Sequence, residues 1–527
     1  MMMRKCWSSS SVLYDGSYHP CFPCLHHPLE SELPLVESAD DDDDDDDGIG
    51  IFEFFQGKNI FITGATGLLG KALIEKLLRS TSVGKIYLLI KAEDKDAALD
   101  RLNKEIVDSE LFKCVKEKHG NNYYQELVKE KLIAVVGNIC EPNLGMDFNS
   151  SRAIMKDVDV IIESAASTTL NERYDLLLDI NVNAPQRLMR FAKRCKNLKL
   201  FVHISTATNY GENGRNVDIN DDDDDVDEMS SSCSFPRLDL ADEISLAMKS
   251  TSQLSTSQHQ DYDVTKHLKR LGLERANLFG WYNTYHLTKA MCEMVLNEIR
   301  GDIPVLIMRP SVIESSYKEP FPGWIQGNKL RQLPAFLADP QVNMDIIPID
   351  MVVNSTIAAI AKHGIIHKPQ LNVYHVASSI VNPLRFYEFF EILHDYFSST
   401  PFFKIKNISK IKYFTSFDDF SEYTRDVISQ CNEMGDAIDE KMLQKLGKQS
   451  KAKVAYAEQL CKMYKFLGVF EGRFDTGNTQ KLLKEMSKEE RLNFEVDATN
   501  IDWRKYFLEI HIPGLRKHVL NNTRTSV

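Results

Sequence analysis

The chain has 527 residues, 43% hydrophobic and 26% charged, the composition of a globular protein long enough for a large core and more than one domain. Its net charge of −13 resides in two runs, eight acids in Asp40–Asp47 and five in Asp221–Asp225, so the remainder sums to zero and bulk charge makes no case for nucleic-acid binding. Ten scattered cysteines do not form a disulfide scaffold and point to a reducing compartment; with no apolar run of about 18 residues, no transmembrane segment is expected and any membrane contact is peripheral.

Residues 1–50 read as a transit peptide followed by an acidic linker. The first thirty are rich in Ser and His, carry Arg4 and Lys5, and hold Asp15 as their one acid before Glu30. A plain disordered tail has the same composition. Cys21 and Cys24, with His26 and His27 behind them, resemble half of a zinc site, but no second half follows, so no metal is expected.

From residue 57 apolar runs alternate with amphipathic stretches. Candidate strands are Asn59–Thr63, Lys85–Ile90, Leu132–Gly137, Val158–Glu163, Leu200–Ser205 and Val305–Arg309, with helical stretches at Ala97–Asp108, Arg173–Cys195 and Thr284–Arg300. Near-continuous apolar strands separated by helices predict an α/β fold: a Rossmann-like doubly wound parallel sheet covered on both faces, over residues 51–380. A smaller, mainly helical C-terminal domain is expected over 381–527, where Leu384–Tyr396 and Ala452–Phe466 have helical spacing. Its aromatic stretch, Phe402, Phe403, Tyr413, Phe414 and Phe417, reads as core, with a lipid-facing surface as the alternative.

The first strand runs into Thr63-Gly64-Ala65-Thr66-Gly67-Leu68-Leu69-Gly70 and then a helix. Strand, glycine turn and helix in that order make a dinucleotide site. Gly64, Gly67 and Gly70 let the backbone turn tightly, and Thr66 and Leu68 lie where the helix N-terminus offers N–H groups to a pyrophosphate. Lys91, at the end of the second strand, suits the 2′-phosphate of NADPH; Glu93 and Asp94 close behind it keep NAD open. Asn138 and Ile139, after the third strand, would lie beside the adenine, and Ala165, after the fourth, is small enough for close passage of the cofactor.

The fifth strand ends in Ser205-Thr206, hydroxyls able to bind a substrate carbonyl. Tyr285 and Lys289 stand i and i+4 on a predicted helix and share a face. A lysine ammonium beside a phenol lowers the phenol's pKa and makes it a usable general acid toward an oxygen receiving a hydride. Residues 212–262, an acidic run followed by Ser/Thr/Gln-rich sequence, read as a flexible insertion.

With these motifs in order, the chain resembles the extended short-chain dehydrogenase/reductases. Its segments 55–67, Lys85–Lys91, Glu172–Asp175, Arg309–Ser315 and Tyr317–Trp324 resemble the plant fatty acyl-CoA reductases, and Trp503–Phe507 and His511–Leu515 the end of that family's male-sterility domain. The resemblance implies NADPH-dependent reduction of a fatty acyl thioester, on CoA or on acyl carrier protein, to a primary alcohol by way of an aldehyde. It implies Tyr285 as proton donor, Lys289 on the ribose, Thr206 with Ser205 at the carbonyl oxygen, and Pro310 and Ser311 near the nicotinamide. The long N-terminal extension resembles the plastid branch; members without it sit at the endoplasmic reticulum. The chain departs from the family pattern at Leu69 and Gly70, after Thr206 in 207–211, and between Leu330 and Phe336, where it is shorter. That shortening leaves two alternatives: a reductase limited to aldehydes or other carbonyls, and a cofactor-binding paralogue with weakened turnover.

Overall fold

The computed structural model describes residues 48–207, 236, 238–256, 261–326, 335–399, 410–430, 440–469 and 472–520. Both acidic runs, Cys21 and Cys24, nearly all of the proposed transit segment, residues 208–211, Leu330, Phe402 and Phe403 lie outside them.

Six strands follow the expected order: β1 (Ile60–Thr63), β2 (Ile86–Ile90), β3 (Leu132–Val136), β4 (Val160–Glu163), β5 (Leu200–Ile204) and β6 (Val305–Pro310). Short strands β7 (Val312–Glu314), β8 (Ala335–Leu337) and β9 (Ile346–Pro348) come next, then β10 (Leu371–Val376) and β11 (Lys412–Phe414). Seven of them form one sheet in the order β10-β6-β5-β4-β1-β2-β3, every pair parallel. Every residue of β1, β2, β4, β5 and β6 is buried, the burial that continuous apolar strands predict for a sheet covered on both faces. Chain order reverses between β1 and β4, and ligands bind beyond the carboxyl ends of strands at such a switch point.

Two features differ from the sequence reading. The edge strand β10 was not among the expected strands; its Leu-Asn-Val-Tyr-His-Val pattern alternates, as suits a half-covered edge. Within the segment read as a flexible insertion, Leu240–Thr256 is a helix. It is anchored by Glu243, which is buried, accepts the Tyr174 hydroxyl at 2.7 Å and pairs with Arg275 (Nε–Oε2 2.9 Å), contacts distant in sequence. One hydrophobic cluster extends from Ile51 through the helix Ile349–Ile366 to Ile512, so much of the C-terminal part packs against the sheet domain, as its helical spacing leads one to expect.

Ile349–Ile366 has the length and mean hydropathy (1.2) of a membrane-crossing helix, yet 83% of it is buried inside the protein. Tyr413 packs edge-on against Phe386 and Phe390, and Phe414 against Phe420 and Tyr423, so these members of the aromatic stretch belong to the interior clusters.

Candidate active site

The turn after β1 is shaped by what surrounds it. Gly64 has φ +71°, and a Cβ there would lie 2.7 Å from the backbone of Ser164 and Ala165, which follow β4. A Cβ on Gly70 would lie 2.3 Å from the Gly64 carbonyl. Only glycine allows this approach of two backbones in a left-handed conformation. Gly67 is extended and leads into the helix Leu68–Ser80, whose N-terminus carries no side-chain cap. Its first N–H groups are therefore available to an anion, and Thr66 and Leu68 stand half-buried beside them. Turn, uncapped helix and the small Ala165 fit the pyrophosphate of a dinucleotide.

Lys91 is exposed just past β2. Asp94 is turned to another use: its carboxylate accepts the Ala97 N–H at 2.8 Å and caps the helix Lys95–Leu102. From that helix Arg101 donates to the Lys91 carbonyl at 2.7 Å, bringing a second cation to the end of β2, while it also pairs with Glu105. Arg101 was not singled out from the sequence. After β3, Asn138 organises its loop, accepting the Cys140 N–H at 3.1 Å and donating to Glu141 at 2.8 Å; Ile139 is half-buried behind it.

The helix Thr284–Ile299 is capped by Asn283, which accepts the His286 N–H at 3.0 Å. It carries Tyr285 and Lys289 to the carboxyl end of β5. Lys289 is buried and donates to the Ile204 carbonyl at 2.6 Å. The Thr206 hydroxyl hydrogen-bonds the Tyr285 phenol. Burial pushes that phenol above its ordinary value; the Lys289 charge and the Thr206 hydrogen bond pull it back, and Glu163 adds to the rise. The expected lowering by lysine is thus present but outweighed, because the phenol loses more solvation than one buried ammonium restores. Tyr285 stays protonated at neutral pH, the form that can donate. The Ala207 N–H donates to the Pro310 carbonyl at 2.8 Å and the Ser311 N–H to Val376 at 3.0 Å, so Pro310 and Ser311 lie buried beside the Thr206 segment.

Ser205 is placed differently from its neighbour. Its hydroxyl donates to buried Glu293, which also takes Arg309 Nε at 3.1 Å; Arg309 in turn meets His375 at 3.4 Å. Ser205 therefore belongs to a buried network beneath the site. A second buried pair, Glu163 with His203, joins the ends of β4 and β5; burial lowers the His203 pKa and keeps its ring neutral. Glu163, His203, Glu293 and Arg309 were missed by sequence reasoning. The signal existed: charged residues closing otherwise apolar strands require buried partners.

Asn181 connects the remaining loop. It accepts the Ser167 N–H at 2.9 Å and donates to Thr288 at 3.1 Å, tying the segment after Ala165 to the neighbour of Lys289.

The arrangement has counterparts. A family described as Male sterility protein matches residues 62–356, and a second family of the same description matches 440–522. The terminal R domain from the myxalamid PKS-NRPS biosynthetic pathway shares the fold, with a TM-score of 0.52 at 15% identity, over 88% of this chain and 91% of that one. The alcohol-forming fatty acyl-CoA reductase of Simmondsia chinensis is 36% identical, over 89% of this chain and 99% of that protein. Fatty acyl-CoA reductase 2, chloroplastic, of Arabidopsis thaliana is 45% identical over 499 residues, 90% of this chain and 80% of that protein. Identity of that extent, on a sheet with the glycine turn, Thr206, Tyr285 and Lys289 at the carboxyl ends of its central strands, means that the chain belongs to the fatty acyl-CoA reductase family.

Proposed function

We propose that the chain reduces a long-chain fatty acyl thioester, carried on CoA or on acyl carrier protein, to the primary fatty alcohol with NADPH. The observation that carries this reading is Tyr285, hydrogen-bonded by Thr206 and facing the charge of buried Lys289, which is itself anchored on the Ile204 carbonyl at the end of β5. Residues 51–380 act as the reductase body and 381–527 as the helical part that completes it. Bound NADPH supplies one hydride in each of two rounds. Thr206 holds the carbonyl oxygen, and Tyr285 gives that oxygen a proton as the hydride reaches the carbon. The resulting hemithioacetal collapses: its C–S bond breaks, its hydroxyl proton leaves with the thiol, and an aldehyde remains. Once Tyr285 has regained a proton from solvent, the second round reduces the aldehyde at the same three side chains. No cysteine nucleophile is needed.

Lys91 and Arg101 favour the 2′-phosphate because both cations sit at the end of β2, whereas Asp94 is occupied as a helix cap. Lys289 serves the ribose, with Gly64, Gly67 and Gly70 around the pyrophosphate and Asn138 and Ile139 beside the adenine. Plastid targeting is supported by the chloroplastic relative and by the acid-poor first thirty residues; the endoplasmic reticulum is the other location to test.

The test is the full chain with NADPH and hexadecanoyl thioester, following nicotinamide absorbance and alcohol together. Two nicotinamides oxidised per alcohol is the expected result. Oxidation with aldehydes alone, or cofactor binding with no oxidation on either substrate, overturns the thioester reading.

A further inference from the structure

A cavity of about 570 Å³ lies between the loop after β4, strand β8 and the helices Phe386–Ser399 and Glu440–Val469. Its volume falls in the range of roughly 300–1,000 Å³ typical of small-ligand sites. Among the described residues, none that line it is charged. Phe336, Phe386 and Phe390 form one aromatic wall, Phe336 lying 4.7 Å from Phe390 between ring centres. Met463 and Leu467, one helical turn apart, supply half-buried side chains from the facing helix. Thr168 and Thr169 contribute exposed hydroxyls.

The loop that lines one side of the cavity also runs to the reductase site. Thr168 follows Ser167, which Asn181 ties to Thr288, and Ala165 lies against the glycine turn. The last turn of the far helix packs closely on the segment after β8. A Cβ on Gly468 would lie 2.3 Å from Ala338 Cβ, and the Gly468 carbonyl accepts the Asp339 N–H at 2.8 Å.

We propose that this cavity receives the acyl chain of the thioester, and that Met463 and Leu467 of the helix Glu440–Val469 determine how long a chain fits. The inference rests on the acyl-thioester reading above. An uncharged, mainly apolar cavity with hydroxyls on the loop shared with the catalytic helix matches a substrate that is hydrocarbon at one end and polar at the other. It also gives part of the second matched segment, residues 440–522, a direct role in substrate choice.

The experiment compares kcat/KM for decanoyl and hexadecanoyl thioesters in the full-length protein and in Leu467→Trp and Leu467→Ala. Each methylene that loses its apolar contact costs about fourfold. Leu467→Trp should lower the hexadecanoyl-to-decanoyl ratio at least about tenfold, with NADPH affinity unchanged by fluorescence titration, and Leu467→Ala should move the preference toward longer chains. A hexadecanoyl thioester bearing a diazirine at the chain end, irradiated with the wild-type protein, should label residues 386–390 or 460–468, a readout independent of how the variants fold. Unchanged chain-length profiles, or labelling elsewhere, overturn the cavity assignment and leave the reductase reading standing. A wild-type protein that reduces no acyl thioester removes both.

Discussion

The glycine turn and the apolar cavity are two halves of one site built in opposite ways. The turn is local: β1, Gly64, Gly67, Gly70 and the helix Leu68–Ser80 follow one another without interruption, and one nearby loop, Ser164–Ala165, completes the fit. The cavity is assembled from Thr168–Leu170, Ala335–Leu337, Phe386–Phe390 and Leu460–Gly468, pieces separated by up to hundreds of residues. A dinucleotide presents the same pyrophosphate every time, so short backbone geometry suffices. A hydrocarbon chain presents only surface and length, so its site is a matter of which walls meet and where they stop.

Substitution at Tyr285 gives the largest expected effect and separates the reacting carbonyl from the chain behind it. Tyr285→Phe removes the proton donor while keeping the ring, and kcat should fall about 10²–10⁴-fold. The fall should be the same for decanoyl and hexadecanoyl substrates, with NADPH still bound. A loss confined to long chains would move Tyr285 from the chemistry to the cavity wall.

A smaller effect belongs to the cofactor half. Lys91→Ala and Arg101→Ala each remove one cation from the end of β2, and each should weaken NADPH about tenfold, in the range of a lost charge-assisted hydrogen bond. NADH affinity should not move, because it lacks the 2′-phosphate, and the chain-length profile should be untouched. Equal weakening of both cofactors would show that these side chains hold the loop rather than the phosphate.

The same contrast explains what could be read from the chain beforehand. Strands β1, β2, β4, β5 and β6 were legible because full burial on both faces writes them as apolar runs, and the Tyr285–Lys289 pair because helical spacing is fixed. Arg101 was not, since nothing in its spacing announces a bond to the Lys91 carbonyl ten residues back. Ser205 and Thr206 are adjacent and chemically alike, yet the strand end sends one hydroxyl to Glu293 and the other to Tyr285; only the position of the helix Thr284–Ile299, which carries both partners, decides which. The helix Leu240–Thr256 was read as flexible because its stabilising partners, Tyr174 and Arg275, lie outside the segment. Phe336 was noted only as the end of the shortened segment and Leu467 was not singled out, because the walls they belong to meet only in the fold.

The last effect is read in stability rather than activity and concerns the seam between the sheet domain and the C-terminal part. Glu314 ends β7, three residues after Ser311, and lies 3.8 Å from His511 of the C-terminal part, with Tyr506 also beside it. Burial raises the Glu314 carboxyl from its ordinary 4.5 to about 8 and lowers His511 to about 4, so at neutral pH both groups are uncharged and the contact is not an ion pair. The folded protein keeps the Glu314 proton that the unfolded chain releases near pH 4.5. Its contribution to stability is therefore complete below pH 4.5, declines as pH rises, and is gone above about pH 8. Glu314→Gln preserves the shape without the titration. Its Tm should exceed that of the wild type above pH 8, with the gap closing toward pH 4.5. A variant less stable than the wild type above pH 8 would mean that Glu314 is ionised and held by a charged His511, and the seam would then be electrostatic rather than packed.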